Sequence, residues 1–204
     1  MRGNWFEGWR LFAVLMLALG GLSLWLADAN GLDVGGVRMV IRFTARTSLL
    51  FFCLAFSASA LWRLWPNTWT HWQRRNRRYL GVTFAGSHAI HLIAITVFAA
   101  IDPAGFAAAT SKASYIFGGI GYAFIVAMTA TSFSRTAKAI GPRAWRILHL
   151  SGGYYLWFQF MVSFGKRVPD MPLYALFLVP LFAVMAVRLA AMASPKSAGP
   201  VPAA

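Results

Sequence analysis

Three histidines stand where water is scarce. His88 and His91 lie three residues apart inside the uncharged run 79–101, and His149 comes early in the run 147–165. If the first run is helical, His88 and His91 share one face. An ionisable side chain in such a run is costly, and it faces a bundle interior or a site. The plain reading of a single such histidine, His88 included, is a neutral ring hydrogen-bonded to the backbone of a neighbouring helix. Two histidines on one face, opposite a third on another helix, offer more. Neutral imidazole is a strong axial ligand for haem iron, and helical bundles supply such ligands from facing helices. His71 sits apart, in a tryptophan-rich segment.

The surrounding sequence says what must position these rings. Of 204 residues, 59% are hydrophobic and only 12% charged, against roughly 25% charged in soluble domains. Nineteen Lys and Arg face five acids, a formal charge of +14. In a soluble chain that excess would suggest a nucleic-acid partner. Here the basic residues fall between long uncharged runs, which is the pattern of a membrane protein with basic loops and no nucleic-acid function. The lone Cys53 lies in an apolar run, so neither a disulfide framework nor a thiolate metal site is available. No Gly-rich phosphate loop follows a strand, and no polar block is long enough for a soluble catalytic domain.

Six spans follow, since ~20 apolar residues are needed to cross ~30 Å of hydrocarbon. They are placed at about 11–28, 37–62, 79–101, 113–134, 146–165 and 171–190, within a transmembrane domain of residues 1–193. The second reaches that length only by including Arg38, Arg42 and Arg46, and the sixth passes if Arg188 snorkels. Residues 194–204 read as a disordered cytoplasmic tail rich in Pro, Ala and Ser. Arg63, Arg74, Arg75, Arg77 and Arg78 lie between spans two and three. Arg135, Lys138, Arg143 and Arg146 lie between four and five. The positive-inside rule then puts both termini in the cytoplasm, and the tryptophans cluster near the same edge. A basic start and the stretch Ala27–Ala29 also resemble a cleavable signal, but Glu7 and two tryptophans precede a run longer than most signal cores. The fold class expected is all-α: an integral bundle of six transmembrane helices in a bacterial-type inner membrane.

Arg38, Arg42 and Arg46 are spaced by four and form one stripe on the outer half of the second span. No carboxylate lies within a span, Asp28 standing at the very end of the first. Either the stripe binds an external anion, such as a haem propionate at Arg46, or the three snorkel into the outer headgroups. The inner cluster from Arg74 to Arg78 reads as an orientation and anionic-lipid anchor. Gly81, Gly152 and Gly153 fit close helix packing or a flat cofactor equally well.

The stretches "RRYLGVTFAGSHAIHL" and "WRILHLSGGYYLWF" resemble the ferric-reductase-like transmembrane domain family. The nearest branch is the haem-binding membrane subunit of the methionine sulfoxide reductase system. Arg77, Arg78, Leu80, Gly81 and His91 fall on its first motif, and Leu148 with His149 on its second. The likeness covers about residues 36–165. One residue departs from it: the family's second histidine, about thirteen residues after the Leu-His, is Val162 here. In the family that histidine faces the His91 equivalent across the haem. Thirteen residues of helix is about 20 Å, so by family registry His91 and His149 lie at different levels. Three arrangements stay open. A shifted registry could pair His88 or His91 with His149. Two weaker sites could exist, with His149 facing Arg77, Arg78 or His71. Haem could also have been lost and the fold kept.

The resemblance implies a membrane electron-transfer protein binding b-type haem, with His91 and His149 as metal ligands. His88, Arg77, Arg78 and Arg46 complete the cofactor-binding set, and no side chain is catalytic. Electrons would come from quinol or a separate cytoplasmic flavin reductase and pass towards a periplasmic oxidoreductase. The alternative is a haem-free six-helix partner subunit, or a protein that binds a lipid or quinone. A transporter finds little support without an acidic relay.

Overall fold

The computed structural model describes residues 5–194. The predicted tail, Ser194 apart, lies outside the described residues. Seven helices account for nearly all of them, without a strand among them: α1 (Gly8–Ala29), α2 (Val34–Leu64), α3 (Thr68–Ile101), α4 (Pro103–Ala109), α5 (Lys112–Ala130), α6 (Ser134–Gly165) and α7 (Ala175–Ala193), the last preceded by a 3₁₀ turn, Pro172–Tyr174. Five are long and apolar enough to cross a membrane: α1, α2, α3, α5 and the segment Pro172–Ala193. The chain is therefore an all-α, multi-spanning membrane bundle. Leu17, Leu24, Leu173 and Phe182 are exposed on it, as lipid-facing side chains must be. α6 carries His149, Gln159 and two tyrosines among its apolar residues, and it packs against α5 on one side and α7 on the other.

Local sequence fixes where the helices begin. The Asp33 carboxylate caps α2 by accepting from the amides of Gly35 (2.7 Å) and Gly36 (3.2 Å). Gly36 is needed for another reason as well: a Cβ there would sit 2.6 Å from the Ala27 carbonyl oxygen, so α1 and α2 touch through bare backbone. Asn67 and Thr70 form a capping box, each side chain bonded to the other's backbone amide at 3.0 Å. That box starts α3 only three residues after α2 ends. Consequently Arg74, Arg75, Arg77 and Arg78, expected in a loop between spans, stand on the first turns of α3 itself. The charges interrupt the apolar run without interrupting the helix, because Arg is a good helix former. A second unforeseen element is α4, where Asp102 caps by accepting from Gly105 at 2.9 Å.

Helices α2 and α3 make the most extensive pairing in the bundle, along a polar seam. Ser48 donates to Ser87 (3.0 Å), Ser87 donates to the Thr44 carbonyl (3.3 Å), and Thr47 meets Ser87 at 2.9 Å. Further along, the Gln73 amide donates to the Leu54 carbonyl (2.8 Å) and to Ser57 (3.1 Å). Small hydroxyl residues let the backbones approach and give lipid-excluded hydrogen bonds. Beside the seam lies an aromatic core, in which Phe52 meets Phe84 at 5.7 Å and Phe160 at 5.3 Å. α7 closes the bundle through Trp157, which donates to the Leu181 carbonyl (2.9 Å), and Arg188, which donates to the Phe56 carbonyl (2.8 Å). α6 is broken at Gly141, whose φ of 77° is left-handed, followed by Pro142. The break sets Ser134–Ile140 off from the longer Pro142–Gly165 portion.

Candidate ligand pocket at the arginine-rich end

The histidines form two separate groups. His149, at the arginine-rich end, bonds through Nε2 to the Thr131 hydroxyl at 3.1 Å and stacks on Trp145 with centroids 4.2 Å apart. Trp145 in turn donates to the Thr131 carbonyl (3.0 Å), so the turn between α5 and α6 fixes both rings. His149 lines a cavity of about 320 Å³ shared by α2, α3, α5 and α6. Arg74, Arg75, Arg77 and Arg78 line its polar side, and Phe52, Phe84, Ile125 and Leu156 line its apolar interior. The volume is within the usual range for small-ligand sites, and so is the mix of mostly apolar walls with a few convergent polar groups.

Two glycines on the wall differ in how much room they leave. A Cβ on Gly81 would meet only the Ala55 methyl, at 4.0 Å, whereas one on Gly153 would press the Phe56 ring at 3.1 Å. Among the described residues the only carboxylate that pairs with these arginines is Glu7, 3.1 Å from Arg75. Arg77 donates to the Ser59 hydroxyl (3.0 Å). Arg74 lies over the Trp62 ring at 5.7 Å, and Arg78 lies over Trp9 and Tyr79 at 5.5 and 5.1 Å. The Arg78 and Arg188 Nε atoms are buried without a hydrogen-bond partner.

The second group is formed by His88 and His91, their rings 5.3 Å apart. His91 Nδ1 lies 3.1 Å from the Ile41 carbonyl and 2.9 Å from the Thr44 hydroxyl. The Thr44 proton goes to the Val40 carbonyl at 2.7 Å, and a carbonyl can only accept. His91 Nδ1 therefore carries the proton, and Nε2 keeps its lone pair. The interhelical backbone bond expected of His88 is thus made by His91. His88 is instead boxed by Phe84 (5.3 Å), Tyr122 (5.3 Å) and Phe160 (6.0 Å), with its Nδ1 buried and unpartnered.

Depth separates the two groups. Fourteen residues of α3 from Arg77 to His91 span about 21 Å, and the cavity beside Arg77 includes His149 but neither His88 nor His91. The structure thus brings His149, Arg77 and Arg78 together and holds His88 and His91 elsewhere. Arg46 is elsewhere too, exposed and over the Phe177 ring at 5.3 Å. Arg38 and Arg42 are likewise exposed, against Phe98 and Met39, an arrangement that suits snorkelling side chains. His71 packs on Trp62 at 5.2 Å. Val162 is exposed.

Among the described residues no three His, Cys, Asp or Glu side chains gather where they could hold an ion. For b-type haem the fit is one-sided: of the histidines only His149 lines this cavity, and His88 and His91 lie outside it. Sequence reasoning missed Thr131, Trp145, Thr129 and Ser132 as neighbours of His149. Thr129, Thr131 and Ser132 lie at the α5–α6 junction, and no spacing rule ties them to His149; Trp145, four residues before His149 on α6, could have been found from helical spacing. No family model, curated protein or solved structure matches the chain. Its class is that of a multi-spanning α-helical membrane bundle with a basic, part-apolar pocket between helices.

Proposed function

We propose that the chain is the membrane-embedded subunit of a larger assembly, and that it takes the head group of a lipid- or quinone-type amphiphile in the pocket beside His149. The observation that carries this reading is the pocket itself. Four helices converge on it, its interior is apolar, and its polar wall holds arginines, His149 and the hydroxyl residues Thr129 and Ser132. Such a wall binds a head group while the apolar side receives the start of a tail. With α6 as a further crossing the subunit has six spans. By the positive-inside rule, the basic residues near the pocket support a reading in which that end, and both termini, face the cytoplasmic side of a bacterial-type inner membrane. His149 Nδ1 is the ring nitrogen left for a ligand once Thr131 holds Nε2.

The second reading is b-type haem, in a protein of the ferric-reductase-like family that passes electrons from quinol or a flavin reductase to a periplasmic oxidoreductase. The observation favouring it is His91. A histidine that donates Nδ1–H to a backbone carbonyl holds Nε2 in the orientation and basicity metal ligation uses. Bound haem would supply one-electron chemistry. This chain would contribute His91 or His149 as a single axial ligand, with arginines for the propionates.

Absorption spectra of the detergent-purified protein, oxidised and dithionite-reduced, separate the two readings. The first predicts no Soret band and a co-purifying amphiphile in the organic extract. A Soret band that His91→Ala or His149→Ala abolishes would establish the second.

A further inference from the structure

A neutral head group would leave the pocket's charge unanswered. Arg74, Arg77 and Arg78 have aromatic rings or a serine hydroxyl for company, and only Arg75 has a carboxylate. A fifth guanidinium, Arg188, lies 4.0 Å over the ring of Phe56, which lines the same cavity as Arg77 and Arg78. Phe56 holds it there through its carbonyl. Like charges gathered at the edge of a low-dielectric bundle repel strongly, and an anion placed among them removes that cost. Guanidinium groups bind phosphate oxygens with paired, charge-assisted hydrogen bonds. Basic pockets between membrane helices on the cytoplasmic side suit anionic phospholipid head groups.

We propose that the pocket binds an anionic phospholipid, its phosphate held by Arg77 and Arg78 beside His149 and its acyl chain started between Phe52, Phe84 and Leu156. The inference rests on the reading that the pocket holds an amphiphile, and it selects a charged phospholipid over a neutral quinone. It also goes beyond a basic helix end touching the membrane surface. The site is a walled cavity built by four helices, so it binds one head group with defined stoichiometry. The phosphate could in principle come from free phosphate, but the apolar interior is idle in that case.

The test titrates the full-length protein, in neutral detergent, with short-chain phosphatidylglycerol, phosphatidylcholine, inorganic phosphate and a soluble quinone analogue. Native mass spectrometry counts the adducts. One phosphatidylglycerol per chain, bound in clear preference to phosphatidylcholine, is the expected result. Each arginine near the surface contributes about fivefold in affinity, so Arg77→Gln with Arg78→Gln weakens binding about 25-fold. The double Arg→Lys variant keeps both charges but loses the paired guanidinium bonds, so it binds more weakly than the wild type and more tightly than the Gln pair, and shows that the fold survives changes at these positions. Gly81→Leu, whose Cβ would meet only the Ala55 methyl, projects a bulky side chain into the cavity and blocks the lipid with every arginine present. Arg135→Gln with Lys138→Gln, outside the cavity, changes nothing. Equal binding of the two lipids, or equal loss in the Arg135/Lys138 control, overturns the proposal in favour of surface adsorption. Phosphate binding as tightly as lipid overturns it in favour of a free anion. A pocket that takes the quinone and not the lipid defeats this inference alone. Failure of every amphiphile to bind defeats the proposed function with it.

Discussion

Gln73 poses a contest between two buried terms of opposite sign. Its side chain is fully buried between α3 and α2, donating to the Leu54 carbonyl and to Ser57, while its Oε1 has no partner. Gln73→Met keeps the length and helix propensity of the side chain. It forfeits two interhelical bonds, each worth about 0.6 kcal/mol inside a membrane, or about 1.2 kcal/mol together. It also removes an unsatisfied buried acceptor, whose desolvation costs about 1–3 kcal/mol. The groups left behind are not stranded. Ser57 already donates to the Cys53 carbonyl at 2.7 Å, and the Leu54 carbonyl lies inside α2, where the helix ladder supplies a donor. The variant should therefore be neutral or up to ~2 kcal/mol more stable, the two terms being taken from the same ranges. Reversible unfolding in mixed micelles with increasing dodecyl sulfate, followed by near-ultraviolet circular dichroism, measures the difference. A loss beyond ~1.5 kcal/mol would show that the bonds outweigh the orphan acceptor, reversing the ranking on which the argument depends.

Other substitutions probe separate links. Gly36→Ala drives a methyl to within 2.6 Å of the Ala27 carbonyl oxygen, so the α1–α2 contact must open at a cost of about 1–3 kcal/mol. Gly20→Ala, which meets nothing within 4 Å, should stabilise by up to about 1 kcal/mol in the same unfolding assay, because Ala is the better residue in a helix interior. Asp33→Ala removes both bonds to the first amides of α2 and should cost about 1 kcal/mol. Asp33→Asn should recover most of that. Arg46→Leu removes the guanidinium from over Phe177 and should cost no more than about 1 kcal/mol in the same assay, since the side chain is exposed. Should the purified protein carry pigment, that variant also tests a propionate contact: undiminished pigment excludes one.

Much of the bundle was legible in the sequence because the membrane enforces it. A run such as 79–101 has to be helical in hydrocarbon, where no other spanning segment satisfies its own backbone. The clustering of Arg74–Arg78 beside that run was equally plain. What misled was treating the end of the apolar run as the end of the helix. The capping box of Asn67 and Thr70 was present in the letters, and it marks the true start of α3. The site was only half visible. His149 with Arg77 and Arg78 appeared among the arrangements left open, because motif and charge put them at one end. Two features could not be read. One is the Phe160 ring against His88, which depends on how far α6 is rotated about its axis. The other is the hydroxyl of Thr131 on His149, which depends on the geometry of a three-residue turn.

The seam of serines and threonines joining α2 to α3 has a bearing on biosynthesis. Neither helix suits solitary residence in lipid: one carries four arginines and several hydroxyls, the other three histidines, four arginines, a glutamine and an asparagine. Joined by three residues, with their serines, threonines and Gln73 turned to one another, they are suited to leave the insertion machinery as a preformed hairpin. The flanking segments α1 and α5, which carry no such burden, can partition one at a time.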